Sequence, residues 1–134
     1  SQFYEVFDPV GESFNRRSVY RTIVRSGRSP FMDTFDCPDP STKSPNRSVT
    51  TTPLQALALM NNSFAMRAST TLANRLVHEA GDSIEDQVVY LIRLAYSRNP
   101  TDEETEDLVQ VIGQVGLVPV CRAVLNSNEL VLVR

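Results

Sequence analysis

The sequence predicts a mainly α fold, a small orthogonal or irregular bundle of four to five helices preceded by an N-terminal strand and a long Pro-rich loop. Three observations carry this reading. From Pro53 onward apolar residues recur at helical spacing; residue pairs with capping chemistry interrupt that pattern at regular intervals; and Asp36 to Arg47 holds three prolines among short polar residues. At 134 residues with 41% hydrophobic content, the chain suffices for one core.

Residues 1–15 are polar and irregular, with Pro9, Gly11 and Ser13 between the aromatics Phe3, Tyr4, Phe7 and Phe14, and read as a connecting arm. Residues 16–134 read as a C-terminal helical module. The chain opens on Ser1-Gln2 rather than methionine, so it reads as a piece of a larger multidomain protein. Ser18 to Arg25 is rich in β-branched and aromatic residues and is closed by Gly27 and Pro30, which favours a strand. Val19, Tyr20, Ile23 and Val24 also recur at helical spacing, which keeps a helix open. A strand here needs a partner, and none of comparable strength follows, so upstream sequence is expected to supply it. Pro30 suits the first position of a short helical turn reaching Phe35. Loops as long as the one that follows tend to be functional or flexible.

Thr52 is placed to cap a helix that starts at Pro53, with Leu54, Leu57 and Ala58 as its buried stripe. Asn61-Asn62-Ser63 offers a break and a fresh cap, after which Phe64, Ala65, Ala68, Leu72 and Leu76 continue to a stop at Gly81. Asp82 or Ser83 caps the next helix, whose inner face is Ile84, Val88, Leu91, Ile92 and Ala95. Thr101-x-x-Glu104 is a capping box that sets acids at the positive end of a helix carrying Leu108, Ile112 and Val115 inward. Gly116 interrupts, and a last helix places Leu117, Val120, Cys121, Val124 and Leu125 on one face, ending near Asn126-Ser127-Asn128. The apolar tail from Glu129 is expected to pack back on the bundle.

Charge and composition narrow the function classes. Net charge is −3, with residues 1–50 at +1 (seven basic, six acidic) and the rest at −4 (six basic, ten acidic), which argues against a nucleic-acid partner. No apolar run approaches the roughly 20 residues that cross a bilayer. Cys121 lies on an apolar helix face and reads as a buried thiol; Cys37 sits in the Pro-flanked loop and reads as more exposed; a disulfide between them is left open. The one histidine, His78, falls in a last helical turn, where it suits the free carbonyls. With a single histidine and no C-x-x-C-H, the chain is expected to carry no metal, haem or cofactor of its own.

The candidate contact residues fall into three groups. Asp33, Asp36 and Asp39 recur beside prolines; they would ligate a hard cation or serve as acid or base, but Asx turn-capping is the favoured reading. Arg16, Arg17, Arg21 and Arg25, with Arg28, form a basic counterpart; Arg17, Arg21 and Arg25 share one face of a strand. They would grip a carboxylate or a sulfated sugar, or, as favoured here, pair with the Asp loop or an upstream domain. Thr50, Thr51 and Thr52 with Gln55 and Asn61 would line a polar pocket, although Gln55 and Asn61, six residues apart, need not share a face.

Three separated stretches then carry a resemblance: Arg16 to Arg25, Phe35 to Ser41, and Val49-Thr-Thr-Thr-Pro-Leu-Gln-Ala-Leu-Ala-Leu-Met-Asn-Asn-Ser-Phe64. In order and spacing they resemble the planctomycete-specific domain one family (domain of unknown function 1553). Ala95 to Glu104 and Asn126 to Glu129 resemble the family's later motifs, so the likeness runs from about Arg16 to the end. The chain departs at Leu130-Val-Leu-Val133, where the family pattern holds Phe-Leu-Tyr-Val.

The resemblance implies a C-terminal module of a large exported protein, placed outside the cytoplasm. Such parents are similar in carrying a c-type cytochrome region, hence a c-type haem elsewhere in the chain, with roles proposed in polysaccharide breakdown or electron transfer. No reaction attaches to the module itself. The expected function is therefore a non-catalytic structural or interaction module whose partners are upstream domains of the same chain. The alternative is part of a saccharide-processing or redox site that those domains complete.

Overall fold

The computed structural model describes residues 17, 20, 30–39, 42–46, 50 and 52–131. Seven helices account for 74% of them, and no strand occurs among the described residues. They are α1 (Pro30–Thr34), α2 (Pro53–Asn61), α3 (Ser63–Ala80), α4 (Ile84–Tyr96), α5 (Asp102–Val115), α6 (Leu117–Leu125) and α7 (Asn128–Val131). The strand expected over residues 18–25 lies outside the described residues except at Tyr20, which sits in a short 3-10 turn and donates its N–H to the Arg17 carbonyl at 3.0 Å. The arm over residues 1–15 also lies outside them.

The chain forms two compact units, Ser1–Phe64 and Ala65–Arg134, whose boundary falls in the first turn of α3. In the first unit α1 packs against α2, and the Phe31 ring lies 4.9 Å from Phe35 and 6.2 Å from Phe64, in tilted contacts. In the second, α4 packs on α5 and α6, and α7 rests on α4 and α6. The core of this unit is Ala73 and Leu76 from α3, Val88 and Leu91 from α4, Ile112 from α5, and Val120, Cys121 and Val124 from α6. On α4 and α6 the faces expected from periodicity are the ones buried, although Ile84 reaches solvent, as Val115 does on α5; on α3 the buried residues are Ser69, Ala73 and Leu76, while Ala65, Ala68 and Leu72 of the expected stripe are half-buried and Phe64 is exposed.

Local chemistry explains where each helix starts and stops. The Thr101 hydroxyl accepts from the Glu104 N–H at 3.1 Å while the Glu104 carboxylate accepts from the Thr101 N–H at 2.8 Å, the reciprocal box expected from the sequence. Ser83, rather than Asp82, caps α4, accepting from the Asp86 N–H at 3.4 Å. Asn62 accepts from the Phe64 N–H at 2.8 Å and so restarts the helix as α3. Gly81 ends α3 at φ +78, and the buried Gln87 amide donates to its carbonyl at 2.5 Å. Gly116 both ends α5 and begins α6, at φ +88.

One expectation is overturned. Leu54 and Leu57 do not form a buried stripe: they are 63% and 55% exposed, and Met60 on the same side is also exposed. Gln55, about half a turn away around α2, is the buried residue. Periodicity shows that a helix is two-faced but not which face its unit needs; here the amide of Gln55 is required inside.

As far as Val131, the tail turns back on the bundle. Arg98 donates to Glu129 at 2.7 Å and to both oxygens of Glu104 at 2.7 and 2.8 Å, so one guanidinium ties the α4–α5 turn to α7. Its charge also sits 5.3 Å from the Tyr96 ring centroid, and the Tyr96 hydroxyl bonds Ser127 at 2.8 Å. Hydrogen bonds from Arg98 and from the Thr101 backbone pull the Glu104 carboxyl from its ordinary 4.5 to about 2. Arg98 lowers Glu129 as well. Because the folded value lies below the unfolded one, this contribution is complete above about pH 4.5 and is lost as pH falls toward 2. The melting midpoint should therefore decline across that interval, and Glu104→Gln should flatten the decline; an unchanged acid slope in that variant would remove Glu104 from the account.

Candidate functional site

The first unit holds the most connected polar cluster among the described candidates, and its geometry begins at the end of α1. The Cys37 N–H donates to the Met32 carbonyl at 3.1 Å and the Asp36 N–H to the Asp33 carbonyl at 3.3 Å, the paired bonds of a Schellman ending. That ending needs a left-handed residue, and Asp36 supplies it at φ 56. Glycine is the usual occupant; a Cβ there costs on the order of 1 kcal/mol, less for Asp than for most.

The side chain offsets that cost. One Asp36 oxygen, Oδ2, accepts from the Thr50 N–H at 2.8 Å, the Thr50 hydroxyl at 2.7 Å and the Gln55 amide at 3.4 Å. Gln55 also donates to the Thr50 hydroxyl oxygen at 2.9 Å. Its carbonyl accepts from the Thr52 N–H at 3.0 Å, while its own N–H reaches the Thr52 hydroxyl at 3.2 Å. Thr52 and Gln55 thus form a capping box, and the same amide that closes the box fastens the Asp-bearing turn to α2. Hydrogen bonds to an ionised oxygen are roughly twice as strong as neutral ones.

The structure therefore brings Asp36, Thr52 and Gln55 together, with Thr50 as the joining residue. Asp39 is half-buried and uses its carbonyl to accept from the Thr42 N–H at 3.2 Å; Asp33 is exposed. Arg17 is exposed, and Arg16, Arg21, Arg25 and Arg28 lie outside the described residues. Sequence reasoning took Thr52 as a simple cap and missed the T-x-x-Q spacing of Thr52 and Gln55, which signals the box. That the junction before α2 docks the Asp-bearing loop was readable from the sequence, but no spacing singled out Asp36 and Thr50 as the pair that meets across fourteen residues.

No group of three or more His, Cys, Asp or Glu among the described residues is placed to hold a metal ion. The sequence lacks C-x-x-C-H, so its residues do not fit a c-type haem. Both cysteines are free; Cys121 is fully buried, and burial pushes its thiol up to about 11. His78 is exposed in the last turn of α3. No helix among the described residues is long and apolar enough to cross a membrane. What this cluster does chemically is hold backbone: it accepts and donates hydrogen bonds around a chain reversal.

A family model described as PSD1, protein of unknown function (DUF1553), matches residues 4–112. No curated protein and no solved structure matches the chain.

Proposed function

Because the chain belongs to the PSD1 family of proteins of unknown function (DUF1553), we propose that it works as a non-catalytic interaction module of an exported multidomain protein, docking on upstream domains of the same chain. The observation that carries this reading is the exposed apolar side of α2. Leu54, Leu57 and Met60 lie along it at three-residue steps, and Phe64 follows at 43% exposure. The Asp36–Thr50–Gln55 cluster fixes the opposite side of the same helix, so the apolar side is presented on a braced element. Apolar patches of this kind mark association surfaces. An irregular bundle geometry and a haem-bearing, polysaccharide-directed parent belong to the same proposal.

The test is Leu57→Glu with Met60→Glu, made both in the 134-residue chain and in the full-length protein that carries it. In the chain alone the change should stay within about 0.5 kcal/mol, since both positions are exposed. In the full-length protein the same pair should lower the melting midpoint or release the module to limited proteolysis. Equal, small effects in both settings would end the docking reading.

The rival reading makes Asp36 part of a saccharide-processing or redox site completed upstream, together with the arginines at 16, 17, 21 and 25. It is favoured by one observation, a carboxylate at a left-handed residue, since such conformations cluster at functional sites. Full-length protein carrying Asp36→Asn that folds normally but loses turnover would decide for it.

A further inference from the structure

Among the described residues, one thioether has a hydrogen-bond donor set against its sulfur. Arg122, half-buried in the last turn of α6, donates from Nη1 to the Met66 Sδ on α3 at 3.2 Å, a contact between residues fifty-six apart in the chain. Both belong to the second unit. Met66 is 41% exposed, so small solutes reach its side chain from water.

The two groups are unequal. A guanidinium presents five N–H donors in a fixed fork, whereas a thioether sulfur is a weak acceptor. Other arginines of the unit place their forks on carboxylates, Arg75 on Glu79 at 3.0 Å and Arg98 on Glu104 and Glu129 at 2.7 Å each. No carboxylate pairs with Arg122 among the described residues. One oxygen atom added to the sulfur would correct the mismatch, because a sulfoxide oxygen carries partial negative charge, and hydrogen bonds with an ionised donor are roughly twice as strong as neutral ones. Oxidation of methionine ordinarily disrupts a fold by setting a polar group among apolar neighbours. At an exposed sulfur already held by a guanidinium the effect reverses.

We infer that Met66 is a reversible oxidation site whose sulfoxide Arg122 holds, so that hydrogen peroxide strengthens the contact between α3 and α6. The sulfur lone pair attacks one peroxide oxygen and the O–O bond breaks. The transferred hydroxyl gives its proton to the departing hydroxide, which leaves as water. The sulfur loses two electrons and the peroxide gains them, and sulfoxide reductases return the thioether. The inference stands apart from the docking reading, whose residues lie on α2.

The test uses the 134-residue chain with Met32→Leu, Met60→Leu and Cys37→Ser, so that Met66 is its accessible sulfur; leucine nearly conserves the volume of methionine. Cys121 stays, being fully buried with its thiol pushed up to about 11, far from the reactive thiolate. Hydrogen peroxide should add one oxygen, located on Met66 by peptide mass spectrometry, and the oxidised chain should melt a few degrees above the untreated one. With Arg122→Leu added, the same oxidation should leave the midpoint level or lower it. A second comparison needs no oxidant and is made in the otherwise unaltered chain. Met66→Gln, which offers an amide oxygen at this position, should melt above Met66→Leu, and Arg122→Leu should erase that difference. A Met66 that resists peroxide, an oxidised chain that melts no higher, or a gain that survives Arg122→Leu would overturn the inference; should that variant fail to fold, a Met66→Gln chain melting no higher than Met66→Leu would do so alone.

Discussion

Leu91→Ala is expected to destabilise the helical unit by about 3 kcal/mol, within the roughly 2–5 kcal/mol seen when a fully buried leucine is truncated. Leu91 is 0% exposed and lies in the cluster that joins α3, α4, α5 and α6, so the space it leaves is walled by four helices. For a unit of this size the melting midpoint should fall by on the order of 10 °C. Val115→Ala is the matched control. Val115 is apolar and helical but 54% exposed, so its truncation should change stability by no more than about 0.5 kcal/mol. Chemical denaturation of the two variants side by side checks both, and a Leu91→Ala cost below about 1 kcal/mol would contradict the core assignment.

The second large effect is expected at Asp36. Asp36→Ala removes an acceptor of three hydrogen bonds and leaves a Cβ in the left-handed region without compensation. A loss of about 2–3 kcal/mol from the first unit follows, given roughly 1.5–3 kcal/mol for hydrogen bonds to charged groups and their incomplete additivity. Asp36→Gly should recover about 1 kcal/mol of that, because glycine adopts the conformation freely. Asp36→Asn should be mildest, since asparagine tolerates the left-handed region and keeps one acceptor oxygen. Hydrogen exchange at the Thr50 amide reads the effect locally: it should speed up in the order Asn, Gly, Ala. An alanine variant no worse than glycine would show that the backbone strain is not borne at this residue.

Much of the second unit was legible in its sequence. Thr101 and Glu104 name their helix start by spacing alone, and Val88, Leu91 and Ile92 name the buried side of α4, because capping and periodicity are local properties of a few adjacent residues. The first unit was less so. On α2 the apolar residues Leu54 and Leu57 point outward and the polar Gln55 inward, which a reading of hydrophobicity reverses. That inversion comes from a contact across the loop: the amide of Gln55 turns inward to donate to the Asp36 carboxylate and to the Thr50 hydroxyl that also donates to it. The site followed the same division. Thr52 was visible as a cap and Asp36 as a turn residue, but their union through Thr50 depends on how the loop folds back, which no spacing rule encodes.

The junction at Gly116 has a consequence for how the chain can vary. A single residue serves as the end of α5 and the start of α6, so there is no slack between them. One residue added or removed just after it, in the first turn of α6, would rotate the rest of that helix by about 100° about its own axis. Val120, Cys121 and Val124 would then leave the core together, and other residues of α6 would take their places. Chain length at this point is a specification in its own right, as binding as the identity of any buried side chain.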